Sequence, residues 1–228
     1  MKKLISRLLI MGCFLFCLAP STLAQKKLTQ GKAVFTISYP ESELDQQTLS
    51  MMPSESVVYF KDQRSRAEMK IAMGTTVAIT DARTGAMTTL MDMMGNKIAM
   101  KFSKEELEKE KLQTQKPELK NTSDTKKIAG FNCKKVQMIF KDDSGGDVNM
   151  DIWFTDEIAA PNSMRAGEMN LDQIDGFMME FETKMNTLTM KMICRSVTEE
   201  NVSDSMFGIP DGYSLTTMDE MKKLGGIH

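Results

Sequence analysis

Residues Ser65 to Met73 read SRAEMKIAM. Ala67, Met69, Ile71 and Met73 alternate with Arg66, Glu68 and Lys70. A period of two places alternate side chains on opposite faces of an extended chain, so this is a strand with one apolar and one charged face. Two features spread outward from it: the alternation itself, and methionine where valine, leucine or isoleucine usually stands.

The alternation recurs along the chain. KAVFTISY (32–39) aligns Ala33, Phe35, Ile37 and Tyr39, and ESVVYFKD (55–62) follows as a short run. TTVAITDA (75–82) sets Val77 and Ile79 together. TLMDMMGNKIAM (89–100) reads as a strand end containing Leu90, a glycine turn, and a new strand. Asp62-Gln63-Arg64, Arg83-Thr84-Gly85 and Met94-Gly95-Asn96 interrupt the runs where turns belong. In the second half, IAGFNCKKVQMIFK (128–141) and DVNMDIWFTD (147–156) flank Asp142 to Gly146, a hairpin connection. Val148, Met150, Ile152 and Phe154 share a face, with Trp153 as the exception. FMMEFETKM (177–185) aligns Phe177, Met179 and Phe181, and TLTMKMICRS (187–196) aligns Leu188, Met190, Met192 and Cys194. The pattern predicts a mainly β (α+β) chain of about ten strands, antiparallel because the connections are short.

Helical pattern is sparse. SKEELEKEKL (103–112) opens with Ser103 and Glu106 at capping-box spacing, and its thin apolar content predicts an exposed helix. QTQKPELKNTSDTK (113–126) is polar and reads as a surface loop. Residues Asn162 to Asp175 break the alternation and read as a short helix or flap. Thr217 and Glu220 again have capping-box spacing and predict a terminal helix or frayed tail over 214–228.

The first 24 residues have the form of a secretory signal peptide: Lys2, Lys3 and Arg7, an apolar run from Leu8 to about Leu18, then Thr22-Leu23-Ala24. The run is short for a membrane span. Cleavage after Ala24, rather than lipid attachment at Cys13, predicts a periplasmic protein without stable membrane insertion. The rest, 25–228, suits one domain with a core from about 32 to 213. The whole chain carries 29 basic and 31 acidic residues, and three of the basic ones lie in that leader. With no basic stripe, nucleic acid is not an expected partner.

The histidine count is one, and it is the terminal His228. Serine–histidine and cysteine–histidine catalysis and histidine-ligated zinc are therefore not expected, nor is a nucleotide cofactor, since no glycine-rich loop joins a strand to a helix. No cofactor and no catalytic residue are expected. Glu180 and Glu182 share a strand face, but the polar one, which suits solvated surface better than acid–base work. Beyond the leader the chain keeps two cysteines, Cys133 and Cys194. Outside the cytoplasm they could be joined, stabilising the fold by about 4 kcal/mol in the chain-entropy view, or stand as two small buried hydrophobes.

Methionine allows three readings, and the chain has 23 of them. Met69, Met73, Met150, Met179, Met190 and Met192 hold positions on apolar strand faces. Flexible thioethers specify packing poorly but suit surfaces that accept varied apolar partners. Plain core filling, a soft apolar cavity, and Cu(I) binding by Met91, Met93 and Met94 all share this pattern. The cavity reading names Met69, Ile71, Met73, Val77, Ile79, Leu90, Met150, Ile152, Phe154, Met179, Phe181, Met190 and Met192 as its lining.

KKIAGFNCKKVQM (126–138), DIWFTDEI (151–158) and FGIPDGY (207–213) carry a family resemblance. The chain resembles the LolA-like and LppX-like superfamily of periplasmic lipoprotein carriers. More closely, it is similar to an envelope family catalogued as domain of unknown function 4412. The resemblance implies an unclosed antiparallel half-barrel wrapped around covering helices, with an apolar cavity that takes a lipid or lipoprotein acyl chain. Residues 103–112 and 162–175 would be the cover. A structural envelope or stress protein with a filled interior, and a hydrolase using carboxylates alone, are the competing expectations.

Overall fold

A computed structural model describes residues 27–113, 117–141, 146–161, 174, 176–185, 188–217 and 220. Among them are twelve strands: β1 (Gln30–Ser38), β2 (Glu55–Lys61), β3 (Arg64–Ile71), β4 (Gly74–Asp81), β5 (Ala86–Met93), β6 (Asn96–Phe102), β7 (Glu118–Ile128), β8 (Phe131–Lys141), β9 (Asp147–Thr155), β10 (Phe177–Met185), β11 (Leu188–Thr198) and β12 (Ser214–Thr216). Helix α1 (Gln46–Met51) lies between β1 and β2, and α2 (Lys104–Gln113) between β6 and β7. A 3-10 turn covers Asp204–Phe207.

All twelve strands form one unclosed sheet in the order β12-β6-β5-β4-β3-β2-β1-β11-β10-β9-β8-β7. Two antiparallel meanders, β1 to β6 and β7 to β11, meet where β1 pairs with β11. β12 runs parallel to β6 and covers its edge. Two-residue hairpins join β2 to β3, β3 to β4 and β5 to β6, and a four-residue turn joins β4 to β5. Asp62, Met94 and Gly95 take positive φ there, as the tight primed turns require.

The order of strands forces the sheet to curl. β6 and β7 lie ten strand spacings apart, about 48 Å along a flat sheet. The connection between them holds the 10 residues of α2, about 15 Å long. The remaining residues between Ser103 and Pro117 add no more than about 18 Å when extended. The aromatic core shows the direction of the bend. Phe60 on β2 and Phe177 on β10 are three strands apart, yet their ring centroids are 5.7 Å apart. Phe35 on β1 lies 6.2 Å from the same ring. The face bearing these rings is therefore concave.

Several expectations are corrected. The sheet has twelve strands rather than about ten. The stretch read as a polar loop contains β7, an edge strand paired to β8 with an irregularity between Asn121 and Thr125. Its alternation is hidden because the strand is mostly solvent-exposed, and polar, irregular edges discourage pairing with a second chain. Helix α1, capped by Asp45 accepting from the Thr48 amide, had no sequence expectation. The Ser103 capping box is present: the Ser103 amide donates to Glu106 Oε2 at 2.7 Å, and the Glu106 amide to Ser103 Oγ at 3.2 Å. Thr217 and Glu220 form the same pair. The leader 1–24 and nearly all of the flap lie outside the described residues, Ile174 excepted, which is buried. Among the described residues no helix is long and apolar enough to cross a membrane.

Candidate functional site

Directly paired residues of antiparallel strands share a face, so the register gives the composition of the concave side. One row runs Cys194, Phe35, Ser56, Met69, Thr76, Met91, Ile98 from β11 to β6. A second runs Ala33, Val58, Ala67, Ala78, Thr89, Met100. Ile71, Gly74 and Met93 continue the face toward the hairpin ends.

Burial divides this face in two. Around β1, β2 and β8 to β11 it is filled: Phe35, Phe60, Met138, Met150, Ile152 and Met179 are all buried. Across β3 to β6 it is partly open: Met69, Ile71, Met91, Met93 and Ile98 are half-buried, whereas Ser65, Ala67 and Met100 are buried. The open half ends in a methionine rim. The Ala72 amide donates to the Met51 carbonyl at 3.4 Å, and the Met94 amide to the Met73 carbonyl at 3.1 Å. This joins α1 and two hairpin tips, where Met51, Met73 and Met94 are 44%, 57% and 89% exposed. Met94 is apolar and exposed, yet occupies a positive-φ turn position that asparagine, aspartate or glycine usually fills.

The thirteen expected lining residues therefore separate. Met69, Ile71 and Met73 stand on the open half. Met150, Ile152, Met179, Phe181 and Met192 belong to the filled half. Phe154 and Met190 are partly buried and pack against it, and Met69, at the boundary of the open half, packs against it too. Val77, Ile79 and Leu90 are on the opposite, convex face, because their partners are Glu68, Arg66 and Ala99. There they form a second small core under Phe207, Ile209 and Tyr213 of the returning C-terminal segment. Arg66 donates to the Met206 carbonyl at 3.0 Å, and the Arg64 guanidinium lies 4.6 Å from the Phe207 ring centre, holding that segment down. Met87, Met91, Met93, Ile98 and Met100 were missed as concave residues. The signal that would have found them is the Met93–Asn96 hairpin, which puts Leu90 and Met91 on opposite faces.

The convex face of β8 to β11 is an ionic lattice. Lys126 pairs with Glu180 at 2.6 Å and covers Trp153 at 4.1 Å from its ring centre. Lys135 pairs with Asp151 at 2.7 Å, and Lys191 with Glu182 at 2.9 Å. This accounts for Trp153 breaking the apolar alternation, and it places Glu180 and Glu182 in ion pairs.

Cys133 and Cys194 are free, buried thiols. They occupy β8 and β11 within the same core cluster and are not joined. Burial pushes Cys133 up to about 11 and Cys194 up to about 12. Unfolded thiols titrate near pH 8.5. Because the folded values are raised, this contribution to stability is complete below that pH and is lost as pH climbs toward 11 to 12. The expected result is unfolding midpoints in urea that decline from about pH 9 upward, together with thiols that react with a chromogenic disulfide reagent only on unfolding.

Three buried hydroxyls of the concave side, Ser56, Ser65 and Thr183, have no hydrogen-bond partner among the described residues. An unpaired buried hydroxyl costs about 1–3 kcal/mol. Ser56→Ala is accordingly expected to stabilise the protein by about 1 kcal/mol, read from the shift of its denaturation midpoint. An unchanged or lowered midpoint would show that Ser56 is paired in solution.

A family model described as domain of unknown function (DUF4412) matches residues 46–213. No curated protein matches the chain. Among solved structures, PNGF-II is similar in two crystal forms, with TM-scores of 0.53 and 0.55 at 16% and 14% identity, covering 86% of this chain. That likeness is one of fold, and this chain covers only 32% and 33% of the PNGF-II chains. LprF from Mycobacterium bovis gives a TM-score of 0.36 at 13% identity, covering 84% of this chain and 92% of its own. A LolA superfamily protein from Nitrosomonas europaea gives 0.34 at 10% identity, covering 81% and 93%.

Proposed function

The chain belongs to the family of domain of unknown function 4412, and from that premise we propose that it is an exported, non-enzymatic protein that holds an apolar chain, a lipid or the acyl group of a partner, against the open half of its concave face. The observation that carries this reading is the row Met69, Thr76, Met91, Ile98, half-buried and continuous with a sealed core. Apolar ligand sites are concave, largely hydrophobic and sparingly polar, and thioethers adapt to chains of varied shape. The sealed half gives such a surface a rigid back wall. Helix α2, which carries buried Leu107 and packs beside β5, is the cover this reading proposes.

The test is native mass spectrometry of protein purified without detergent, followed by uptake of a fluorescent fatty acid. A co-purifying mass in the lipid range, removed by detergent and replaced by the probe, supports the proposal. The second reading is a structural envelope protein, favoured by the sealing of Met138, Met150 and Met179. It predicts no bound mass and no probe uptake.

A further inference from the structure

We propose that the same face also holds one soft monovalent metal ion, Cu(I) by its chemistry, between the thioethers of Met69, Met91 and Met93. This goes beyond apolar binding, because it depends on sulfur rather than on hydrophobicity. The register supplies the placement. Met69 lies opposite Thr76, and Thr76 opposite Met91. One step along, Gly74 lies opposite Met93. The two β4 residues between the three methionines are thus small, and the floor beneath their side chains is low.

Strand spacings put the Met69 and Met91 Cα atoms about 10 Å apart, and Met91 and Met93 about 7 Å apart on one strand. Three flexible side chains can then converge above Thr76. Gly74 cannot easily be enlarged, since a Cβ there would stand 1.9 Å from the Asp92 carbonyl oxygen. The floor is therefore kept bare by backbone packing. All three methionines are half-buried, Met69 resting against the edge of the filled core.

The donor set selects the ion. Thioethers are soft ligands that favour Cu(I) over magnesium, calcium or zinc. Among the described residues no group of three histidine, cysteine or carboxylate side chains offers a competing site. The two thiols lie in the sealed half of the core. Met94, although next to Met93 in sequence, is at the hairpin tip and 89% exposed. The set is therefore Met69, Met91 and Met93, not the contiguous Met91, Met93 and Met94.

The test is anaerobic titration of the intact protein with Cu(I) in competition with a chromogenic Cu(I) chelator. One equivalent is expected to be retained by the wild type. The triple variant M69L/M91L/M93L is expected to weaken retention at least about tenfold, and M94L to leave it unchanged. Methionine-to-leucine exchange nearly conserves volume and hydrophobicity, so the denaturation midpoint of the triple variant should stay close to that of the wild type, showing that lost retention reflects lost sulfur and not lost fold. Should the triple variant fail to fold, M91L alone is read the same way. Surrender of all copper by the wild type, or undiminished retention by the leucine variants, overturns the proposal. A wild type that retains copper but takes up no fatty acid would sink the apolar reading alone.

Discussion

Phe60→Ala is expected to destabilise the protein by about 3–5 kcal/mol, the range for truncating a sealed aromatic ring. A loss of that size is a large fraction of the stability of an ordinary domain, about 5–15 kcal/mol. The Phe60 side chain is fully buried and stands 5.7 Å from Phe177, three strands away. It also covers Gly31 on β1, where a Cβ would approach the Phe60 ring to 3.1 Å and the Thr198 carbonyl oxygen to 2.4 Å. The ring thus does two things: it fills the space that glycine leaves, and it ties β2 to β10 across the bend. Removing it opens a cavity and frees the curl together. Denaturant unfolding of F60A, F177A and the double variant measures both effects. A coupling of about 0.5–1.5 kcal/mol beyond burial is expected for the aromatic pair. Additive losses would show that the rings do not act across the bend.

Met91→Glu is expected to leave the fold nearly intact and to destroy apolar binding. Met91 is half-buried, so a glutamate there can turn its carboxylate to water, and the change in stability should stay within about 1 kcal/mol. An acyl chain laid over that position would have to strip water from the charge, at a cost of several kcal/mol. A loss of about 3 kcal/mol is roughly 100-fold in affinity. Met138→Ala is the complementary case. It lies in the sealed half, paired with Met150, and should cost about 2–5 kcal/mol in stability while leaving the affinity of the folded protein unchanged. Fluorescent fatty-acid titration beside denaturant melts separates the two patterns. Equal affinity in M91E and wild type would remove the open half from the site.

The β architecture was legible because alternation in SRAEMKIAM, KAVFTISY and DVNMDIWFTD is a direct consequence of the pleat. Which face is concave was not legible. In β4 one face carries Val77 and Ile79 and the other Thr76 and Ala78, so hydrophobicity points to the wrong side. The convex residues are apolar because FGIPDGY folds back over them, a contact more than a hundred residues distant in sequence. Likewise Leu90 outranks its neighbours as a core candidate, although Met91 and Met93 are the ones on the concave side. The polar edge β7 hid its strand character, and the lysines over Trp153 explain an aromatic residue that alternation alone could not place. The methionine excess was visible from the start, but its division into a sealed and an open set is a tertiary property.

Methyl-labelled methionine distinguishes these sets in one experiment. In carbon–proton NMR spectra of the protein titrated with a long-chain fatty acid, the Met69, Met91 and Met93 methyl resonances should move with saturating behaviour, while those of Met138, Met150 and Met179 stay in place. Shifts confined to the sealed set, or no methionine shift at ligand saturation, would contradict the account.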